Sequence, residues 1–389
     1  MELIDGFDTD FIPSITEPTF EADYFGGPND DVLVIEENNG ARAYPIAILD
    51  LHHMTNDEID GEPVIATWCP LCGSGVAYSR RVGDRTLTFE FAGKLADNNF
   101  VMRDRETGSE WKQSTGLCLR GELEGTELEP LSALMISYRS FNEQYPDGVV
   151  LARPESADPY LFYRFEKTMT ALLAHPAGRE VAEAVSHLVA AANLARDSEQ
   201  RLVDVNVRPF FRIMQGLIEL SDWTFHDTAR EVVYDGDPMD IYGESGVFGF
   251  PPVHGGRRDW DVDELDDLEA KTRVLGIVVD DDAVGFAEPR VEAADGVVET
   301  TVGETSIVVF ATTDGLSVYE NPCLSFESAD EQGMFDADGA RWNGTSGESD
   351  DGRTLQRLPG QWTFAFSWEG DHGIDTFYES ERDDSTTRP

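Results

Sequence analysis

Two thiols stand three positions apart in Trp68-Cys69-Pro70-Leu71-Cys72-Gly73-Ser74-Gly75. Sulfurs at that spacing can grip one metal ion, as in half of a zinc knuckle, or close a small disulfide. Gly73 and Gly75 permit a tight turn and a close approach of backbone to a ligand. A thioredoxin-like pair sits at a helix N-terminus, whose dipole lowers the thiol pKa. Here Val76-Ala77-Tyr78 reads instead as a strand after a glycine turn. Imidazole plus two thiolates suits zinc or copper, and His52 and His53 lie about 16 residues upstream. Cys69, Cys72 and His52 are the candidate metal ligands, with Cys118 and His53 as further candidates. The bland readings are a satisfied or solvated side chain for His52 and a small buried residue for Cys118.

The elements around the motif repeat. Val32-Leu33-Val34-Ile35, a polar turn and Ala41-Arg42-Ala43-Tyr44 recur as Val274-Leu275-Gly276-Ile277, a turn and Ala283-Val284-Gly285-Phe286, at an offset of 274 − 32 = 242. Gly61-Glu62 and Gly303-Glu304 keep that offset. Later matches are closer together: Leu87-Thr88-Phe89-Glu90 with Leu324-Ser325-Phe326-Glu327, Met102-Arg103-Asp104 with Met334-Phe335-Asp336, and Trp111 with Trp342. Copy one spans about 31–148 and copy two about 273–376. At the same offset Cys69 faces Ala311, Cys72 faces Asp314 and His52 faces Ala294, while Gly73 faces Gly315. The turn survives without the thiols and the imidazole, so the fold does not require them. Asp104 and Trp111, recurring as Asp336 and Trp342, read as a hairpin with a packed indole.

Each copy is mostly β, with short β-branched and aromatic runs bounded by Asn38-Asn39-Gly40, Asp60-Gly61, Gly83-Asp84 and Thr107-Gly108. One short helix is expected near Ile46–Met54, where Pro45 suits a first helical position. Between the copies, Val181, Val185, Leu188, Val189 and Ala192 fall on one helical face. The expected class is α+β, mostly β: two related β-rich modules with a helical insertion between them. The domains run 1–153, 154–235 for the insertion, 236–378 for the second copy, and a polar tail over 379–389.

The 389 residues carry 29 Lys and Arg against 76 Asp and Glu, a formal charge of −47. A chain so acidic repels nucleic acid, and its spread acids match a halophile's protein surface, stabilised as salt screens the repulsion. No apolar run reaches the roughly 18 residues of a membrane helix. The start, Met1-Glu2-Leu3-Ile4-Asp5, lacks a secretory signal. The expected compartment is the cytoplasm, with an exported form only if the true start lies upstream. No Walker loop, dinucleotide fingerprint or Gly-x-Ser-x-Gly elbow is present, so no nucleotide cofactor is expected.

Ala-Arg-Ala-Tyr-Pro (41–45), His52, Asn56-Asp57, Cys69-Pro-Leu-Cys-Gly73, Leu87-Thr88-Phe89, Met102-Arg-Asp-Arg-Glu-Thr-Gly108 and Trp111-Lys-Gln113, in that order, resemble domain-of-unknown-function family 3179. The resemblance covers about residues 8–153 and, more faintly, the second copy. Tyr234–Tyr242 resembles the segment that follows the module in such proteins. Many relatives are exported or lipid-anchored, and this chain shows no signal. The resemblance supports Cys69, Cys72 and His52 as a site and supplies no reaction. Three functions fit the residues: a metal-binding protein, as metalloenzyme or carrier, acting on a metal or small molecule; a thiol–disulfide protein cycling Cys69 and Cys72; or a non-catalytic binding scaffold.

Overall fold

The computed structural model describes residues 1–154, 203–208 and 265–379, apart from 10, 38–39, 281 and 330–332, together with 180, 184, 247–248, 257–258 and 260. Its architecture is mostly β, and one strand plan occurs twice. Module one opens with a hairpin of Asp31–Glu37 and Gly40–Pro45. Side chains alternate across a strand, so Leu33 and Ile35 enter one core while Val32 and Val34 enter another. Helix α1 (Ile46–His52) follows, with Pro45 as the residue before its first turn. It stops two residues short of the expected end because His53 turns left-handed (φ 60°) and returns its amide to the Leu49 carbonyl.

Two meanders follow: Met54–Ile59, Glu62–Cys69 and Ser74–Ser79, then Phe89–Ala96, Asn99–Asp104 and Glu110–Lys112. Leu134–Ser137 returns to pair with Asp31–Glu37 and runs into helix α2 (Tyr138–Gln144). Module two repeats each step. Arg273–Val279 and Asp282–Ala287 form the hairpin, then comes helix α3 (Glu288–Glu292). The first meander is Val297–Val302, Thr305–Thr312 and Gly315–Glu320, and the second is Glu327–Ser328, Met334–Ala337 and Ala340–Asn343. Gln361–Phe364 returns to the hairpin and leads into helix α4 (Ala365–His372).

The backbone pairing corrects the sequence register. The 242 offset holds through the opening hairpins. Met54 pairs with Thr67 as Val297 pairs with Phe310, so the offset there is 243. Cys69 therefore matches Thr312, not Ala311, and Ser74, not Gly73, matches Gly315, because the turn of module two is two residues shorter and the Cys72-Gly73 part has no counterpart there. Trp111 pairs with Met102 and Trp342 with Phe335, so Ala337, not Asp336, stands where Asp104 does. The packing keeps this register. Phe89 meets Trp111 edge-on at 6.0 Å, and Phe326 meets Trp342 edge-on at 5.9 Å.

The modules exchange their last elements. Trp362 pairs with Gly75, which joins the hairpin of module two to the first meander of module one in one sheet. Helix α4 thereby lies at the Cys69–Cys72 turn, where the Phe364 amide donates to the Cys72 carbonyl at 2.8 Å. Reciprocally, Ser137, which caps α2, and Ser140 within it donate to the Asp314 carboxylate at 3.3 and 2.5 Å.

The expected helical insertion is corrected at one point. Val203–Asn206 is a strand, parallel to Glu2–Asp5 in the sheet of the second meander of module one. The Val181–Ala192 stripe and the 380–389 tail otherwise lie outside the described residues, Glu180 and Ala184 excepted. Among the described residues no helix is long and apolar enough to cross a membrane.

Candidate functional site

The site forms where a hairpin runs out of paired backbone. Cys69 and Ser74 are the last partners of their ladder, and residues 70–73 close the loop. The Cys72 amide donates to the Cys69 carbonyl at 3.2 Å, which tightens the turn and brings both sulfurs to one side. Gly73 has φ +57° and a Cβ there would lie 2.7 Å from the Phe364 ring, so both the bend and the packed α4 require glycine.

Both cysteines are buried. Burial alone raises the pKa of Cys69. Hydrogen bonds from the Cys72 thiol and from the backbone amides of Phe100, Cys72 and Leu71 outweigh it, so the Cys69 pKa lies below that of an ordinary thiol. Burial pushes Cys72 up, and its bond to Cys69 and the nearby Cys69 charge push it further; Ser367 opposes weakly. The two thiols are thus driven apart: the hydrogen bonds favour the charged form of Cys69, and burial beside it favours the neutral form of Cys72.

A buried polar seam surrounds the pair. Gln113 donates through Nε2 to Thr67 Oγ1 (2.8 Å) and to the Ser74 carbonyl (3.2 Å). Tyr78 donates its hydroxyl to the carbonyls of Gln113 and Ser114. Lys112 and Asp371 form a buried ion pair at 2.5 Å, with Asp97 3.6 Å from the same ammonium. Burial lowers the Lys112 pKa, but Asp371 and Asp97 raise it on balance, so the ammonium stays charged. Asn99 Nδ2 reaches Ser367 Oγ at 3.5 Å. Ser367 and Asp371 belong to α4, so module two completes the site of module one. His372, next along, stacks on Trp368 at 4.0 Å, and burial lowers its pKa.

The histidines lie on and just after α1. His52 is buried, as a short helix packed on the sheet dictates, and its Nδ1–H donates to the Pro13 carbonyl at 2.6 Å. His53 packs on Phe100 at 5.2 Å, and burial drops its pKa to about 3, so the ring is neutral. Cys118 donates to the Arg120 carbonyl at 3.4 Å, and burial raises its thiol to about 11. Among the described residues, no group of three or more His, Cys, Asp and Glu side chains is gathered to hold a metal ion. The structure therefore unites Cys69 and Cys72 but does not build the three-ligand cluster expected with His52. Sequence reasoning missed Lys112 and Gln113 as site residues, although both stood in the Trp111-Lys-Gln113 string. It had no signal for Ser367 and Asp371, which arrive from the other copy.

The model of the family described as "Protein of unknown function (DUF3179)" matches residues 9–202 and 226–375. No curated protein and no solved structure matches the chain. Two matched regions, one strand plan used twice and a Cys-Pro-Leu-Cys-Gly turn in the first copy place the chain in the DUF3179 family, as a tandem member.

Proposed function

We propose that module one is a thiol–disulfide redox site in which Cys69 is the attacking thiolate and Cys72 the resolving thiol. The observation that carries this reading is the asymmetry of the pair: three backbone amides and the Cys72 thiol converge on Cys69, while Cys72 keeps its proton. The thiolate is the nucleophile in disulfide exchange. Cys69 attacks one sulfur of a small disulfide and expels a thiolate. Cys72 then gives its proton to that leaving group, attacks the Cys69 sulfur and expels a second thiolate. The products are a Cys69–Cys72 disulfide, one free thiol and one thiolate, so atoms and electrons balance. Cysteine residues exposed by only 1% and 0% suit a small oxidant better than a folded protein.

A second reading, a zinc or copper ion on Cys69, Cys72 and His52, draws on one contact. The Nδ1–H of His52 on a backbone carbonyl is the second-shell bond that metal-binding imidazoles use.

One experiment separates the two. Purified protein is treated with a small disulfide, before and after chelation, and peptides are mapped by mass. The redox reading expects the Cys69 and Cys72 peptides to become linked, with loss of two hydrogens, whether or not chelator is present. Linkage that appears only after chelation, with zinc or copper released, supports the metal reading. Cys69 and Cys72 peptides left unchanged under both conditions overturn the redox reading.

A further inference from the structure

Around the thiols several buried polar atoms go unmatched within the protein, three of them oxygens that can only accept, beside Asn98 Nδ2, Ser114 Oγ and His372 Nε2. Gln113 Oε1, Asn99 Oδ1 and Asp371 Oδ2 are buried and take no hydrogen bond from the protein. Each belongs to a side chain whose other atom is committed: Gln113 to Thr67 and Ser74, Asn99 to Ser367, Asp371 to Lys112. The three side chains are linked through the thiol pair itself. Ser367, which Asn99 contacts, also bonds Cys72, the Asp371 charge acts on Cys72, and Gln113 lies against the Ser74 end of the Cys turn. Buried polar atoms in folded proteins are nearly always matched, so three acceptors in one seam point to a ligand that brings donors.

The charge balance indicates which donors. Lys112 contributes one positive charge, facing the carboxylates of Asp371 and Asp97 and lying within electrostatic reach of Cys72. The two carboxylates exceed the one ammonium by one negative charge, before any charge on the thiol pair is counted. An ammonium carries three N–H donors and no acceptor, which matches three oxygen acceptors in a negative surrounding. We propose that Asn99, Gln113 and Asp371 form a subsite for an ammonium group carried by a small thiol or disulfide that reacts at Cys69. The proposal rests on the dithiol reading and names its substrate class. Its second consequence concerns architecture: because Asp371 lies on α4, module two selects the substrate for module one.

Three small disulfides of similar size test this on the full chain: cystamine (cationic), bis(2-hydroxyethyl) disulfide (neutral) and dithiodiglycolate (anionic). The rate of Cys69 modification is followed by peptide mapping, which keeps the exposed Cys323 from counting. Cystamine is expected to react at least tenfold faster than the neutral reagent, and the anionic one slowest. The net charge of the chain would favour a cation at long range, so the rates are compared in 1 M KCl, where screening acts over about 3 Å. The preference is expected to persist there, and Asp371→Asn is expected to remove it. Should that variant not fold, the order of the wild-type rates in 1 M KCl decides alone. Equal Cys69 rates with all three reagents in 1 M KCl overturn the ammonium subsite and leave the dithiol reading intact. No modification of Cys69 by any of them, with Cys323 reacting, overturns both.

Discussion

The two meander turns of this chain began from one plan and now differ in what they can hold. In module one, four residues separate Cys69 from Ser74, and Lys112 and Gln113 pack beneath them. In module two, only Thr313 and Asp314 separate Thr312 from Gly315. Asn343 and Gly344 replace Lys112 and Gln113. Gly344 donates to the Gly333 carbonyl as Gln113 donates to that of Phe100, which fixes the match. The Thr312 side chain fills the space: a Cβ on Gly333 would lie 2.8 Å from it and one on Gly344 3.0 Å. The Thr312 hydroxyl is satisfied locally, with Thr345 Oγ1 at 2.9 Å and the Asp314 amide at 3.2 Å. One turn is therefore polar, charged and only partly matched, and the other is packed and complete. Scaffold is what both retain, including Tyr78 and Tyr319, whose hydroxyls each donate to a backbone carbonyl. The thiol pair and the Lys112–Asp371 ion pair are what only one holds.

The contrast can be broken most sharply at the ion pair. Lys112→Ala strands the buried Asp371 carboxylate and should cost ~3–5 kcal/mol, whereas Asn343→Ala, which loses two bonds to the Thr345 and Ser346 amides, should cost about 1–2 kcal/mol. Urea midpoints check both. Asp104→Ala comes next. Asp104 is fully buried and accepts from Trp111 Nε1 and from Thr107, while the Trp342 indole donates to the Ala337 carbonyl. A loss of about 2–3 kcal/mol is expected, read from the Trp fluorescence transition. Equal tolerance at the two indoles would undo the contrast.

His53 sharpens it through pH, because the matching residue of module two is Gly296, whose carbonyl likewise receives an amide. The unfolded imidazole takes a proton near pH 6.5 and the folded one only near 3. Stability from this group is therefore complete above pH 6.5 and lost as pH falls toward 3. The expected loss is about 2 kcal/mol between pH 6.5 and 5. His53→Gly should flatten that part of the stability profile, and an unchanged slope would contradict a neutral buried ring. The smallest effect is expected at Asp314→Ala, which removes the bonds from Ser137 and Ser140. It should cost about 1 kcal/mol and leave Cys69 alkylation rates as they are.

Sequence reading recovered what is local. The opening hairpins, the short helix after Pro45, the glycine turn and the repeat itself are written in period-two runs and turn residues. It slipped by one residue where α3 and its exit add one position relative to α1, since similar β-branched strands align almost equally well in neighbouring registers. A second, separate one-residue slip, on the next hairpin, paired Asp336 with Asp104. The site was half legible. Cys69 and Cys72 are adjacent in sequence and meet at a turn, whereas Asp371 reaches Lys112 across 259 residues. No pattern in one copy indicates that the last helix of the other covers it. His52 was placed on the right helix, but its ring orientation depends on the Pro13 carbonyl, which only tertiary packing brings near.

The central claim is the division of roles between the two thiols. The direct test is the pH dependence of iodoacetamide alkylation at each cysteine, quantified peptide by peptide on the folded chain from pH 5 to 10. The structure predicts that Cys69 reaches half its maximal rate below about 8.5, the ordinary value for a free thiol, and that Cys72 stays unreactive until well above it. Cys69→Ser should leave Cys72 inert across the neutral range. Cys72 alkylated first, or both cysteines titrating together at or above the ordinary value, would contradict the account.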